Sequence, residues 1–217
     1  GQPLGILKTR FDALLAHRGG IPVRYVRDGQ TVEETIEAPR VYAAQRALIA
    51  ALKARGVAVY IVSASQEEVV RMVASDPRYG LSIPPERVIG TTTLLRDPAG
   101  TLSTARRDIA QGVAAKPGYW SRRATLTPTT TLWSPLPWQE GKVAAIQAYI
   151  APLRRPMLVA GDSSSDWPML FHSAGVRLWV DHDAATMQRL RTVREGRGGD
   201  GAERWVEVKR RELTTAR

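Results

Sequence analysis

In Leu158-Val159-Ala160-Gly161-Asp162-Ser163-Ser164-Ser165-Asp166-Trp167-Pro168-Met169-Leu170, an apolar strand runs into Gly-Asp, and a second aspartate follows before a helix-like run. Two carboxylates in that place fit a magnesium site. Mg2+ takes hard oxygen ligands in a tight octahedron and keeps several waters, so a few carboxylates at a strand's C-terminal end suffice. Open α/β sheets bind their ligands at that end of their strands. Asp162 and Asp166 are therefore the candidate metal ligands.

Upstream, Val41, Ala44, Leu48, Ala51 and Leu52 recur at helical spacing and Gly56 supplies a stop. Val57 to Val62 then reads as a buried strand of the parallel type ending at Ser63. Ser65-Gln66-Glu67-Glu68 has the spacing of a capping box, so a helix through Met72 starts beside the strand's end. Strand, serine, helix N-terminus is an anion-binding geometry. Val88 to Thr104 reads as a hairpin turning at Asp97-Pro98-Ala99-Gly100, and the threonine-rich segment from Ala124 to Trp133 as a loop-rich lead-in. A helix from Gly141 carries Val143, Ile146, Tyr149 and Ile150 on one face, with Lys142 in its first turn. A lysine there opposes the helix dipole, which points to an anionic partner for it. Strands at Met157 to Ala160, Val176 to Val180 and Trp205 to Val208, with helices between, predict an α/β, doubly wound, mostly parallel sheet. The glycine-rich Gly196 to Gly201 reads as a surface loop or hairpin.

Composition bounds what such a site could serve. With 43% hydrophobic against 24% charged residues, the 217-residue chain can bury a core. There is no cysteine, so neither disulfides nor a thiolate metal site is possible. No run of about 18 apolar residues predicts a membrane span, and the start lacks the layout of a signal peptide. The net charge of +10 raises nucleic-acid binding, but the basic residues are scattered, which fits solubility or attraction of anionic substrates better.

In their order along the chain, Ser63 at a strand end, Lys142 opening a helix, and Gly161-Asp162 with Asp166 at a later strand end resemble motifs two, three and four of the haloacid dehalogenase superfamily. Within it the resemblance is to the bacterial phosphorylcholine phosphatases, carried by Val59-Tyr60-Ile61-Val62-Ser63-Ala64, Glu67 to Gly80, Val88 to Leu95, Leu102 to Arg106, Gly141-Lys142 and Pro156 to Asp162. The resemblance implies a Rossmann-like core over 41–217, with 1–40 a remnant of a cap or linker and a β-hairpin insertion. It further implies a Mg2+-dependent phosphomonoesterase in which an aspartate attacks phosphorus and the aspartyl-phosphate is freed by water. Ser63 and the backbone at Ala64 would bind the phosphoryl oxygens. Lys142 would neutralise the nucleophile and phosphoryl group, Asp162 would ligate the metal, and Asp166 would hold Lys142 or a metal-bound water. Phosphorylcholine is the favoured substrate, and a periplasmic or secreted site is implied, a cytoplasmic one being the alternative.

The family's first motif, a strand ending in Asp-x-Asp-x-Thr with the nucleophile, has no counterpart before Pro39. The expectation is a core lacking its first strand, with the nucleophile on an N-terminal fragment of the same protein. The alternative is a non-catalytic phosphate-binding or interaction domain. Asp181-His182-Asp183 superficially repeats the missing motif, but Asp183 suits a helix N-cap. Trp120, Trp133 and Trp138 are candidates for an aromatic cage around a quaternary ammonium, or else loop packing. With only three histidines, one of them His172 inside a helix pattern, no histidine metal site is expected.

Overall fold

A computed structural model of the protein describes residues 1–181, 183–197 and 204–210. The elements run α1 (Leu4–Ala16), β1 (Gly20–Arg27), β2 (Gln30–Glu37), α2 (Ala43–Ala54), β3 (Ile61–Gln66), α3 (Glu67–Ala74), β4 (Val88–Thr91), β5 (Thr93–Arg96) and β6 (Leu102–Ser103). They continue through α4 (Ala105–Ala110), α5 (Tyr119–Arg122), β7 (Thr127–Leu132), α6 (Glu140–Tyr149), β8 (Leu158–Gly161), α7 (Trp167–Phe171), β9 (Val176–Asp181), α8 (Ala184–Gly196) and β10 (Arg204–Lys209). Of the glycine-rich loop, residues 198–201 lie outside the described residues, as does His182.

Two parallel sheets hold the site. One is β3 beside β4; the other has the order β10-β9-β8. Trp179, Leu170 and Leu190 are fully buried between the larger sheet and helices α6, α7 and α8, together with Ile146, Val159, Met169 and Met187. Val62 of β3 packs against this core, while Ile61 packs against a second one built on Ala74, Ile83 and Val88. Adjacent residues of β3 thus face two cores, as the pleat requires. Among the described residues, β3 pairs only with β4 and β8 only with β9, so each keeps an unpaired edge.

Three local expectations are corrected. The strand begins at Ile61 rather than Val57 and continues past Ser63 to Gln66; the helix N-cap is Gln66, whose side chain accepts from Val69 N at 2.9 Å, not Ser65. The hairpin is divided at Thr92: β4 stays in the parallel sheet, whereas β5 pairs antiparallel with β6 and β7. Its turn is the expected one, with Asp97 accepting from Thr101 N at 2.8 Å and Gly100 at φ +90°. The threonine-rich lead-in is a strand, β7, because β-branched side chains favour the pleated surface; it is a sheet edge, where Pro128 is tolerated.

Within residues 1–40, α1 is fastened to the body by buried Leu4, by Leu4 N to Leu126 O at 2.8 Å, and by Tyr79 donating to Asp12 at 2.6 Å. The β1–β2 hairpin pairs in full register with itself, and Arg210 reaches Glu37 at its base at 3.4 Å. No described helix is long and apolar enough to cross a membrane.

Candidate active site

Lys142 brings the predicted residues together. It lies in the first turn of α6 and is buried, and its Nζ donates to one carboxylate oxygen of Asp166 and, at 3.4 Å, to the carbonyl of Val62, the residue before Ser63. The anionic partner expected from its position is therefore Asp166. One ammonium links Val62 of β3, just before Ser63, to Asp166 in the segment that follows β8; among the described residues both strands have an unpaired edge.

Asp166 is fixed from its other side. Its second oxygen accepts from Asp162 N and Ser163 N at 3.0 Å each, and from Ser163 Oγ at 3.1 Å. Burial works against its ionisation, but the charge and hydrogen bond of Lys142 and the two backbone N–H groups outweigh it, holding the carboxyl below its ordinary range. Gly161 is what permits this close turn: a Cβ there would lie 2.5 Å from Asp166 Cβ. Both oxygens of Asp166 thus accept hydrogen bonds within the protein, one from Lys142 and the other from the Asp162–Ser163 turn. Asp162 is exposed at the strand end. Among the described residues no group of three or more His, Cys, Asp or Glu could hold a metal ion. A hard divalent cation held here would have the exposed Asp162 as a protein ligand and would take its remaining oxygens from substrate and water. Arg210, hydrogen-bonded to Tyr42 OH at 3.0 Å, lies close enough to Asp162 to feel its charge.

At the end of β3, pairing runs Ile61 to Val88 and Val62 to Ile89, then resumes at Gln66 to Thr91. Ser63, Ala64 and Ser65 consequently bulge opposite Gly90 alone. Ser63 Oγ accepts from Ser65 N at 3.1 Å and Ala64 O accepts from Thr91 Oγ1 at 2.7 Å. The Ser63 hydroxyl hydrogen remains available for a ligand oxygen.

Other candidates are placed elsewhere. Asp183 caps α8 by accepting from Thr186 N at 2.7 Å. Trp120 lies against the guanidinium groups of Arg71 and Arg123, at 5.0 and 5.8 Å, while Trp133 and Trp138 are exposed on the loop before α6. A cavity of about 420 Å³ beside Trp120, Arg71 and Leu4 shares no residue with the Lys142 cluster. Sequence reasoning missed the buried charges Glu67, Glu68, Arg71, Arg106 and Arg123. The i,i+4 spacing of Glu67 and Arg71 was the available signal, although such pairs ordinarily lie on solvated faces.

In an alignment of 197 positions that covers 88% of the chain, it is 43% identical to the phosphorylcholine phosphatase of Pseudomonas aeruginosa. The chain is a phosphatase homologue. It spans 55% of that relative's length. A conserved protein of unknown function from Anaerococcus prevotii shares the fold, with a TM-score of 0.61 at 20% identity, over 93% of this chain and 48% of that one. No family model matches the chain.

Proposed function

We infer that these residues form the larger part of a Mg2+-dependent phosphomonoester hydrolase of the haloacid dehalogenase type, with phosphorylcholine as the favoured substrate. The observation that carries this reading is the buried Lys142 ammonium, held by Asp166 after β8 and by the carbonyl of Val62 in β3, immediately before the Ser63 bulge. A fixed cation and a free hydroxyl there suit a phosphoryl group, and neither needs to reorganise as charge develops. The substrate follows from the name of the Pseudomonas relative.

The nucleophilic aspartate belongs on a strand that would lie between the unpaired edges of β3 and β8, supplied by a segment of the same protein outside these residues. Its carboxylate attacks phosphorus and the leaving oxygen departs as the alcohol after taking a proton. Water then cleaves the aspartyl-phosphate, returning orthophosphate and the carboxylate. Lys142 screens the approach of the two anions, and Ser63 donates to a phosphoryl oxygen. Asp162 would hold Mg2+, which when bound offsets phosphate charge.

The test is release of orthophosphate from phosphorylcholine by the protein carrying its upstream segment, with Mg2+ and after chelation. Turnover is expected only with the metal, to fall by orders of magnitude in Lys142→Ala, and to need more Mg2+ in Asp162→Asn. Wild-type behaviour of either variant would overturn the assignment.

A further inference from the structure

The Ser63 bulge is three residues without strand partners, so something other than the β-ladder must hold it in shape. The neighbouring carboxylate does so. Glu67 begins α3 immediately after the bulge and is completely buried. Its oxygens accept from Gly90 N at 3.1 Å and Thr92 Oγ1 at 3.1 Å, and from the guanidinium groups of Arg71 at 2.6 Å and Arg106 at 3.0 Å. Gly90 is the one residue standing opposite the bulge, and its N–H is directed at the Glu67 carboxylate. The approach is close: a Cβ on Gly90 would lie 2.6 Å from Glu67 Cα and 2.7 Å from Ser65 O.

The same carboxylate reaches the helix of Lys142. Arg106, paired with Glu67 and hydrogen-bonded to Val88 O at 2.9 Å, stacks 5.3 Å from the ring of Tyr149 at the end of α6. Tyr149 OH in turn donates to Ser134 O at 2.9 Å on the loop leading into α6.

We propose that Glu67 is a positioning residue for the phosphoryl-binding site, its buried carboxylate holding the Ser63–Ser65 bulge through Gly90 and Thr92 and the Lys142 helix through Arg106. The proposal rests on the phosphatase reading for what the bulge binds, but not for how the bulge is held. Glu67 touches no substrate. Its charge is needed, because an amide could replace the acceptors facing Gly90 and Thr92 but would take from the buried Arg106 guanidinium its carboxylate partner and leave Arg71 with Glu68 alone.

The experiment follows the backbone amide resonances of Ser63, Ala64 and Ser65 in wild type, Glu67→Gln and the milder, nearly isosteric Thr92→Val, with Val159 and Trp179 of the far sheet as internal controls. Each protein is then titrated with inorganic phosphate. In Glu67→Gln the bulge resonances are expected to move or broaden while the controls stay, and phosphate affinity to weaken by about tenfold, the lower end for residues that orient a site indirectly. Thr92→Val should move the same resonances less. Bulge resonances unchanged in both variants would overturn the proposal. Absence of phosphate binding by the wild type would count against the phosphatase reading alone, and the bulge resonances would still decide whether Glu67 positions it.

Discussion

Replacing Lys142 with methionine keeps the stem of the side chain and deletes its charge. Lys142 and Asp166 side chains are each 7% exposed, so the variant leaves a carboxylate in the interior with one oxygen unmatched. Breaking a buried pair from one side costs about 3–5 kcal/mol, against a total stability for such domains of about 5–15 kcal/mol. The pH dependence carries the sharper test. In the wild type the Asp166 carboxyl lies below its ordinary 3.8, so its contribution is present above that value and is lost as pH falls through the folded-state value. In Lys142→Met the Lys142 contributions vanish and burial remains, so the folded-state value moves up. The folded variant then binds a proton that the unfolded chain does not, and its deficit shrinks as the solution is made more acidic. Urea unfolding at about pH 7.5 and about pH 5 reads both quantities, with unchanged slopes confirming that only stability has moved. Adding Asp166→Asn, whose carbonyl can still accept from Asp162 N and Ser163 N, should recover about 1–3 kcal/mol of coupling. A cost below about 1 kcal/mol, equal at both pH values, would refute the reasoning.

Three further outcomes are expected. Gly161→Ala sets a methyl 2.5 Å from Asp166 Cβ, so Asp166 must turn away from Lys142; thermal unfolding should show a loss of about 1–3 kcal/mol and calorimetric titration weaker binding of inorganic phosphate, and wild-type values for both would contradict the geometry. Leu170→Ala empties a fully buried position in the larger core and should cost about 2–5 kcal/mol in urea, with phosphate binding unaltered in the folded fraction. Asp166 and Glu68 are both held below their ordinary 3.8 and 4.5, Glu68 against its own burial by Arg71 and Arg123. Stability should therefore be level at neutral pH and decline as pH falls below about 4, and a profile flat down to about pH 2 would show that these ion pairs add nothing.

Legibility in the sequence tracked how local the cause was. Apolar runs at Met157 to Ala160, Val176 to Val180 and Trp205 to Val208 were readable as strands because each is short, apolar and rich in residues that suit a pleated surface; the strands observed are Leu158–Gly161, Val176–Asp181 and Arg204–Lys209. The cap at Asp183 and the turn at Asp97–Gly100 were readable because short polar side chains bond their own neighbours. The order Ser63, Lys142, Asp162, Asp166 carried the resemblance to a phosphatase family.

Tertiary structure alone decided what those residues do to one another. The pairing of Lys142 with Asp166 is 24 residues long in sequence, and the contact with Val62 O is 80; no periodicity encodes either. That Asp166 spends both oxygens inside the protein, leaving Asp162 as the exposed carboxylate, depends on a turn whose tightness shows only where Gly161 meets it. Glu67 entered the sequence reading only as part of a stretch with capping-box spacing, and in the structure it is fully buried. Burial of a charge is affordable only where several partners converge, and convergence is a property of packing rather than of any one segment.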